Sequence, residues 1–225
     1  MEKERRFVPI DGIEVRKADD GTPKGIAGMG AVFGARTTIA GRFEEEIADT
    51  FFDGVLSDPG VMGLFNHNPD YVLGRTGAGT MTLRKERGGI HYEVPELPKS
   101  RADVLESVAR RDVTGNSFSF SMPEDGSGEE WIRAEDRTDG GKLPLRILRR
   151  AAGLFDFGPV TYPAYKVTTV SARSEAKASE LTSAEAAQLD EETTICLRCQ
   201  EKDARIEALE EGVARRDEML DRLSG

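Results

Sequence analysis

The sequence divides near residue 173 into two parts of very different composition. All ten prolines and all fifteen aromatic residues lie at or before Tyr165, and 22 of the 24 glycines lie before residue 174. Aromatic side chains dominate hydrophobic cores, while glycine and proline form turns. The compact domain is therefore expected in residues 1–173. Residues 174–225 carry 14 acidic and 7 basic side chains and are predicted to form an acidic linker followed by a helical tail.

Charge, cysteine content and hydropathy narrow the classes of protein. The formal net charge of −10 leaves no basic stripe for binding DNA or RNA, so no nucleic-acid partner is expected. The two cysteines, Cys196 and Cys199, cannot build a disulfide framework, which favours a reducing compartment. No run of ~18 apolar residues occurs, and no apolar stretch follows the charged first residues. Neither a membrane span nor a secretory signal is expected.

Short apolar segments separated by turn residues predict a mainly β domain with helices, arranged as a β-barrel with helices packed on it. Strands are predicted at 28–33, 61–65, 71–75, 80–84, 90–94, 116–122, around Trp131, and at 145–148 and 154–160. One helix is predicted over 44–56, from the spacing of its apolar residues. A second is predicted to begin after Ser100 as N-cap and to end near Asp112.

Histidine chemistry in this chain depends on His67 or His91, because no other histidine occurs. His67 follows an apolar strand and begins a turn, where an imidazole can exchange protons while the scaffold holds one side of it. The residues alone leave open whether His67 is a general base or an inert turn residue. His91 lies within a predicted strand and is interpreted as a solvent-facing side chain.

The segment 115–122 alternates serines with large apolar residues, so Ser117, Ser119 and Ser121 share one face of a strand. The apolar face must belong to the core. The serine face either meets solvent or lines a cleft. In the second case one serine could be a nucleophile, given an adjacent base and an acid to hold the base. The strand pattern does not distinguish among the serines.

Asp156 is a lone carboxylate within an aromatic and apolar stretch. A buried carboxylate needs a cation or a specific hydrogen-bond donor. Arg149 and Arg150 are possible structural partners. An imidazole N–H is the functional alternative.

Four short motifs occur in a specific order between about residues 28 and 171. They are Asn-His at 66–67, Leu-Gly-Arg-Thr at 73–76, Gly-x-Ser-Phe-x-Phe at 115–120, and an acid at 156 before Pro-Val-Thr-Tyr-Pro-Ala-Tyr at 159–165. Together they resemble the caudovirus prohead protease family, the capsid maturation proteases of tailed phages and of gene transfer agents. The family is similar in fold to herpesvirus assemblin, a β-barrel serine protease with helices around it.

The resemblance implies a catalytic role for three residues. Ser117 falls on the family's serine and would be the nucleophile, His67 would be the general base, and Asp156 would orient the histidine. The chain departs from the family pattern where Asn68 replaces a frequent aspartate, Ser119 replaces the usual glycine, and Phe-Gly at 157–158 replaces Val-Ser. Because Ser119 shares a face with Ser117, it remains an alternative nucleophile. The resemblance implies no metal and no organic cofactor.

Residues 195–223 show a weak heptad pattern typical of a coiled coil. Its a and d positions are Ile195, Cys199, Lys202, Ile206, Leu209, Val213, Arg216, Leu220 and Leu223. Two of these nine positions are charged. The resemblance implies a scaffold-like assembly segment, through which copies of the chain would associate. The single CxxC at 196–199 lacks further zinc ligands nearby and is interpreted as part of the seam.

The function implied by the resemblance is a serine endopeptidase of capsid maturation. It would act inside the procapsid in the host bacterial cytoplasm, on the scaffolding region of the major capsid protein and on itself. The alternative from another class is a non-enzymatic scaffolding or capsid-assembly protein with the same barrel. A hydrolase of some other ester or amide is a third possibility. Self-cleavage of the isolated chain would distinguish a protease from a scaffold.

Overall fold

Short β-strands make up most of the fold, as seen in a computed structural model that describes residues 2–8, 12–162 and 172–181. In chain order the strands are β1 (Lys3–Val8), β2 (Ile13–Lys17), β3 (Pro23–Val32), β4 (Arg36–Ile39), β5 (Phe43–Ile47), β6 (Met62–Leu64), β7 (Val72–Arg75), β8 (Thr82–Glu86), β9 (Gly89–Val94), β10 (Gly115–Ser121), β11 (Glu129–Ile132), β12 (Leu145–Leu148) and β13 (Gly153–Val160). The helices are α1 (Ala102–Ala109) and α2 (Ala172–Leu181), with 3₁₀ turns at Thr76–Ala78 and Lys99–Arg101. The prediction of a mainly β domain with helices is confirmed.

The described strands form three open sheets. Their strand orders are β1-β10-β13-β6-β7, β2-β3-β9-β8 and β11-β12-β5-β4. The β-barrel predicted from the sequence is therefore not confirmed, since the strands of this part of the chain form no closed barrel. Closure requires the two edges of a sheet to pair, whereas β1 and β7 each pair on one side only in the first sheet. The central strands β10 and β13 carry two of the three predicted catalytic residues.

A cluster of phenylalanines fills the core beneath β10 and β13. Phe118 stacks on Phe157 with ring centroids 5.5 Å apart, and Phe52 meets Phe118 edge-on at 5.4 Å. Phe51 meets Phe120 edge-on at 5.2 Å. All five rings are fully buried. Because the apolar side chains of β10 anchor it from below, the serines that alternate with them are held on the opposite face.

The helix predicted over 44–56 is wrong. Its first residues belong to β5, which pairs in parallel with β12 and antiparallel with β4. Glu45 points inward and forms ion pairs with Arg6 and Arg146. After β5, consecutive hydrogen-bonded turns carry Phe51 and Phe52 into the core. The apolar spacing correctly marked the buried residues, but the partners that make this segment a strand lie far away in the sequence.

The strand β1 was not predicted, although it is central to the site. It pairs antiparallel with β10 from Lys3 opposite Ser121 to Val8 opposite Asn116. Glu4 and Arg6 are buried on the same face as Val8. A segment that begins with four charged residues is expected to be exposed to solvent unless the buried partners of those residues are known. The nine strands that were predicted overlap β3, β6 to β9 and β10 to β13.

One of the two described helices was predicted from the sequence, and the other crosses the predicted domain boundary. Helix α1 confirms the predicted second helix and buries Val104 and Val108, but it starts after Arg101, with no side-chain cap from Ser100. Helix α2 runs across the predicted boundary at residue 173, and its Ala178 packs in a cluster with Ile39 and Phe43. Neither described helix has the length and hydrophobicity needed to cross a bilayer. The heptad residues 195–223 and the CxxC at 196–199 lie outside the described residues, and the division at 173 stays a prediction.

Candidate active site

His67 lies in the loop between β6 and β7, on a backbone that the neighbouring strand holds in place. Asn66 and His67 both have φ of 55°, in the left-handed region that side chains other than glycine adopt at a cost. Asn66 donates its N–H to the Pro159 carbonyl at 3.0 Å and accepts the Thr161 N–H on Oδ1 at 2.8 Å. These bonds tie the loop to the end of β13 and stabilise the left-handed conformation that presents the imidazole.

The imidazole of His67 bridges the two other predicted residues. Its Nε2 lies 2.7 Å from the hydroxyl oxygen of Ser117, and its Nδ1 is hydrogen-bonded to Oδ1 of Asp156. The side chains of His67 and Asp156 are 9% and 8% exposed. An ionised aspartate only accepts hydrogen bonds, so Nδ1 carries the proton in this contact and Nε2 is left to accept one. The arrangement gives the ring the tautomer that a general base requires.

The register between β10 and β13 brings the carboxylate to the serine face. Ser119 is directly opposite Asp156, and Ser117 is directly opposite Gly158. Residues opposite each other on antiparallel strands point to the same face of the sheet. A Cβ at Gly158 would lie 1.8 Å from the Leu64 carbonyl oxygen, so only glycine allows β6 to approach this closely. Gly158 therefore lets β6 end close to Ser117, so that the loop carrying His67 begins beside this serine.

The serine face of β10 is buried rather than exposed to bulk solvent. Ser117 and Ser119 are 5% and 2% exposed. Ser119 donates its hydroxyl to Oδ2 of Asp156, the oxygen that does not face His67. Sequence reasoning noted Ser119 only as an alternative nucleophile and missed this contact. The direct cross-strand register that produces it was not readable from the strand pattern.

The hydroxyl of Ser117 has two acceptors for one proton. Its oxygen lies 2.9 Å from the backbone carbonyl of Arg6 in β1 and 2.7 Å from Nε2 of His67. A hydroxyl rotates freely enough to donate to either. Donation to His67 is the orientation from which the imidazole can remove the proton.

A buried ion network holds β1 beneath this carbonyl. Arg6 pairs with Glu4 at 2.6 Å and with Glu45, and Arg146 pairs with Glu4 at 2.8 Å and with Glu45 at 3.0 Å. Burial would raise the pKa of Glu4, but the hydrogen bond from Arg146 and the charges of both arginines outweigh it, so the pKa lies below its usual 4.5. Arg146 also bonds Glu129 at 2.6 Å. The network joins β1 to β5 and β12, which belong to another sheet.

The alternative partners considered for Asp156 are occupied elsewhere. Arg149 pairs with Glu130 at 2.6 Å, and Arg150 donates to Ser127. His91 lies on β9 opposite Met29 and Arg84. Across the described ranges, no three His, Cys, Asp or Glu side chains come together as a metal site would need. The groups that the structure brings together at the site are the hydroxyls of Ser117 and Ser119, the imidazole of His67 and the carboxylate of Asp156.

Comparison with known proteins gives one match. A family model described as caudovirus prohead serine protease matches residues 11–183. His67, Ser117 and Asp156 all lie within the matched range. No curated protein and no solved structure matches the chain.

Proposed function

Because this chain belongs to the caudovirus prohead serine protease family and is a serine protease, we propose that it matures the capsid from inside the procapsid. Its substrates there are the scaffolding region of the major capsid protein and its own chain. The procapsid lies in the cytoplasm of the host bacterium. The scaffolding-protein alternative is not favoured, since the family model is that of a protease.

In this proposal Ser117 is the nucleophile, His67 the general base and Asp156 the group that orients the imidazole. The observation that carries it is the single imidazole shared by two contacts, with Nε2 at 2.7 Å from the Ser117 hydroxyl and Nδ1 on Asp156. Hydroxyl and base within about 2.6–3.2 Å is the geometry that serine nucleophiles use. The base is in turn held by a third group, as this kind of mechanism requires.

In this proposal Ser117 is acylated through the following bond and proton transfers. The Ser117 hydroxyl oxygen forms a bond to the peptide carbonyl carbon while its proton passes to Nε2 of His67. The carbonyl becomes an oxyanion, which backbone N–H groups stabilise. The imidazolium, held by the charge of Asp156, returns the proton to the leaving amine as the C–N bond breaks. Water repeats the sequence on the acyl-enzyme and restores the free serine.

The tail is part of the same proposal. The heptad residues 195–223 bring copies of the chain together, or bind the helical scaffolding part of the capsid protein, so that the enzyme is enclosed during assembly. The support is the a/d pattern of the sequence, which needs a partner helix to be stable in water. The net charge of −7 in residues 174–225 keeps the free segment soluble.

The test is mass spectrometry of the chain expressed alone and together with its capsid protein. The unaltered protein is expected to shorten itself and to trim the capsid protein, while Ser117→Ala and His67→Ala leave both intact. His91→Ala is the matched control, because it removes the other histidine, on β9, and is expected to cleave normally. Full processing by the Ser117→Ala protein would refute the assigned nucleophile.

A further inference from the structure

The carboxylate of Asp156 is held at both of its oxygens. Oδ1 accepts from Nδ1 of His67, and Oδ2 accepts from the hydroxyl of Ser119. Asp156 and Ser119 are both buried, so bulk water does not substitute for either contact. The contact from Ser119 is not explained by the three proposed catalytic roles.

We propose that Ser119 is a positioning residue, which fixes the rotation of the Asp156 carboxylate and through it the tautomer and direction of the His67 ring. This inference rests on the catalytic roles proposed above. The terminal torsion of an aspartate is broad and roughly two-fold, so a carboxylate bonded through one oxygen alone swings easily. A second bond to Oδ2 selects the rotation in which Oδ1 faces Nδ1.

The backbone around Ser119 is built to make this contact. Ser119 and Asp156 are a directly opposed pair of the β10–β13 ladder, and the ladder shifts register immediately afterwards, between Ser119 and Phe120. Such bulges re-aim side chains next to active sites. Phe118 and Phe120 on either side of Ser119 are fully buried in the aromatic core, which prevents the strand from rotating.

The same contact argues against Ser119 as the nucleophile. Its hydroxyl proton is directed at Asp156, whereas Nε2 of His67 faces Ser117. Ser119, which stands where the family usually has glycine, therefore adds a hydrogen bond to Asp156, and Ser117 remains the proposed nucleophile.

The first experiment compares Ser119→Ala with Ser121→Ala. Ser121 is the next serine on the same face, fully buried, and opposite Gly153 rather than Asp156. A fluorophosphonate, which bonds covalently to an activated serine oxygen as fluoride leaves, is the probe, and mass spectrometry identifies the labelled residue. We expect Ser119→Ala to be labelled at Ser117 at a rate about 10- to 100-fold lower, the loss typical of one hydrogen bond to a charged group. With a peptide substrate kcat should fall by the same factor while KM stays unchanged. Ser121→Ala should match the unaltered protein.

The second experiment reads the imidazole directly and does not require activity. Nitrogen-15 NMR of the two histidines reports which ring nitrogen carries the proton, and His91→Ala identifies the His67 signals. We expect one tautomer, protonated at Nδ1, in the unaltered protein and in Ser121→Ala, and a mixture of tautomers in Ser119→Ala.

Labelling at Ser119, an unchanged tautomer in Ser119→Ala, or an equal loss in Ser121→Ala would each overturn the positioning role. A protein that neither cleaves nor reacts with the probe, yet shows the tautomer change in Ser119→Ala, would instead refute the proposed function and retain the positioning role.

Discussion

Replacing Arg146 by methionine should destabilise the domain far more than the same change at Arg149. The Arg146 side chain is 0% exposed and contacts three carboxylates, those of Glu4, Glu45 and Glu129, at 2.8, 3.0 and 2.6 Å. Methionine fills most of the space but leaves these carboxylates with fewer positive partners. Removing one partner of a buried ion pair costs about 3–5 kcal/mol, because the remaining charge is left in a medium of low dielectric constant.

The matched control is Arg149→Met. Arg149 pairs with Glu130 at 2.6 Å, but both side chains are 50% exposed, and exposed pairs contribute only about 0–1 kcal/mol. A domain of this size loses about 2–4 °C in Tm per kcal/mol. The expected loss in Tm is therefore about 6–20 °C for Arg146→Met and at most about 4 °C for Arg149→Met.

The difference in Tm between the unaltered protein and Arg146→Met should also depend on pH. In the unaltered protein the pKa of Glu4 is lowered, so its ionised form stabilises the fold above 4.5 and this contribution is lost as the pH falls through the lowered pKa. In Arg146→Met the ionised carboxylates destabilise the fold at neutral pH, and protonation relieves them. The gap in Tm between the two proteins should therefore narrow as the pH falls towards 4.5.

Circular dichroism melts of the three proteins at neutral pH and near the usual pKa of Glu4 measure both effects. Equal losses in the two arginine variants would refute the claim that burial decides the contribution of these ion pairs. A gap that widens on acidification would refute the assignment of the loss to uncompensated carboxylates.

Three further changes test the site and the domain boundary. Asp156→Asn should lower kcat by about 10⁴-fold with little change in Tm, since an amide favours the wrong imidazole tautomer; a loss below about tenfold would contradict the orienting role. Gly158→Ala should lower both Tm and activity, at a cost of about 1–3 kcal/mol, because its Cβ would meet the Leu64 carbonyl at 1.8 Å; an unchanged melt would contradict the close approach of β6. A chain ending at Leu181 should have the Tm of the full protein, whereas a chain ending at residue 173 should have a lower Tm because it lacks Ala178. Equal Tm values for the two shortened chains would show that α2 adds nothing to the stability of the fold.

The parts of the fold that were predictable are those whose signals are local. The alternation of β10 depends only on neighbouring residues, and so do the short apolar segments at 80–84 and 90–94 that predicted β8 and β9. His67, Ser117 and Asp156 were selected because motif order adds information that no single segment contains. The structure brings these three side chains into one hydrogen-bonded chain.

The parts that were missed depend on distant partners. Glu4 and Arg6 are compatible with a strand interior because distant side chains complete their ion pairs. Arg146, 142 residues after Glu4, binds Glu4, and Glu45, 39 residues after Arg6, binds Arg6. For the same reason β5 was mistaken for the start of a helix: the apolar spacing over 44–56 fits a helix, and the parallel partner β12, whose Arg146 binds Glu45, lies 101 residues further on. The contact from Ser119 to Asp156 required the register of two strands 37 residues apart.

The residues of the candidate site are far apart in the sequence, so the ribosome synthesises them at different times. Arg6 is synthesised 111 residues before Ser117, whose hydroxyl contacts its carbonyl. His67 is synthesised 89 residues before Asp156, the carboxylate that binds its ring. At about 5–20 residues per second, Asp156 follows Ser117 from the ribosome by roughly 2–8 s. During that interval the proposed nucleophile exists without the carboxylate proposed to orient its base. A nascent chain with the proposed mechanism is therefore inactive until β13 has been added, and its own growing segments and the proteins around the ribosome are not cleaved before the domain is complete.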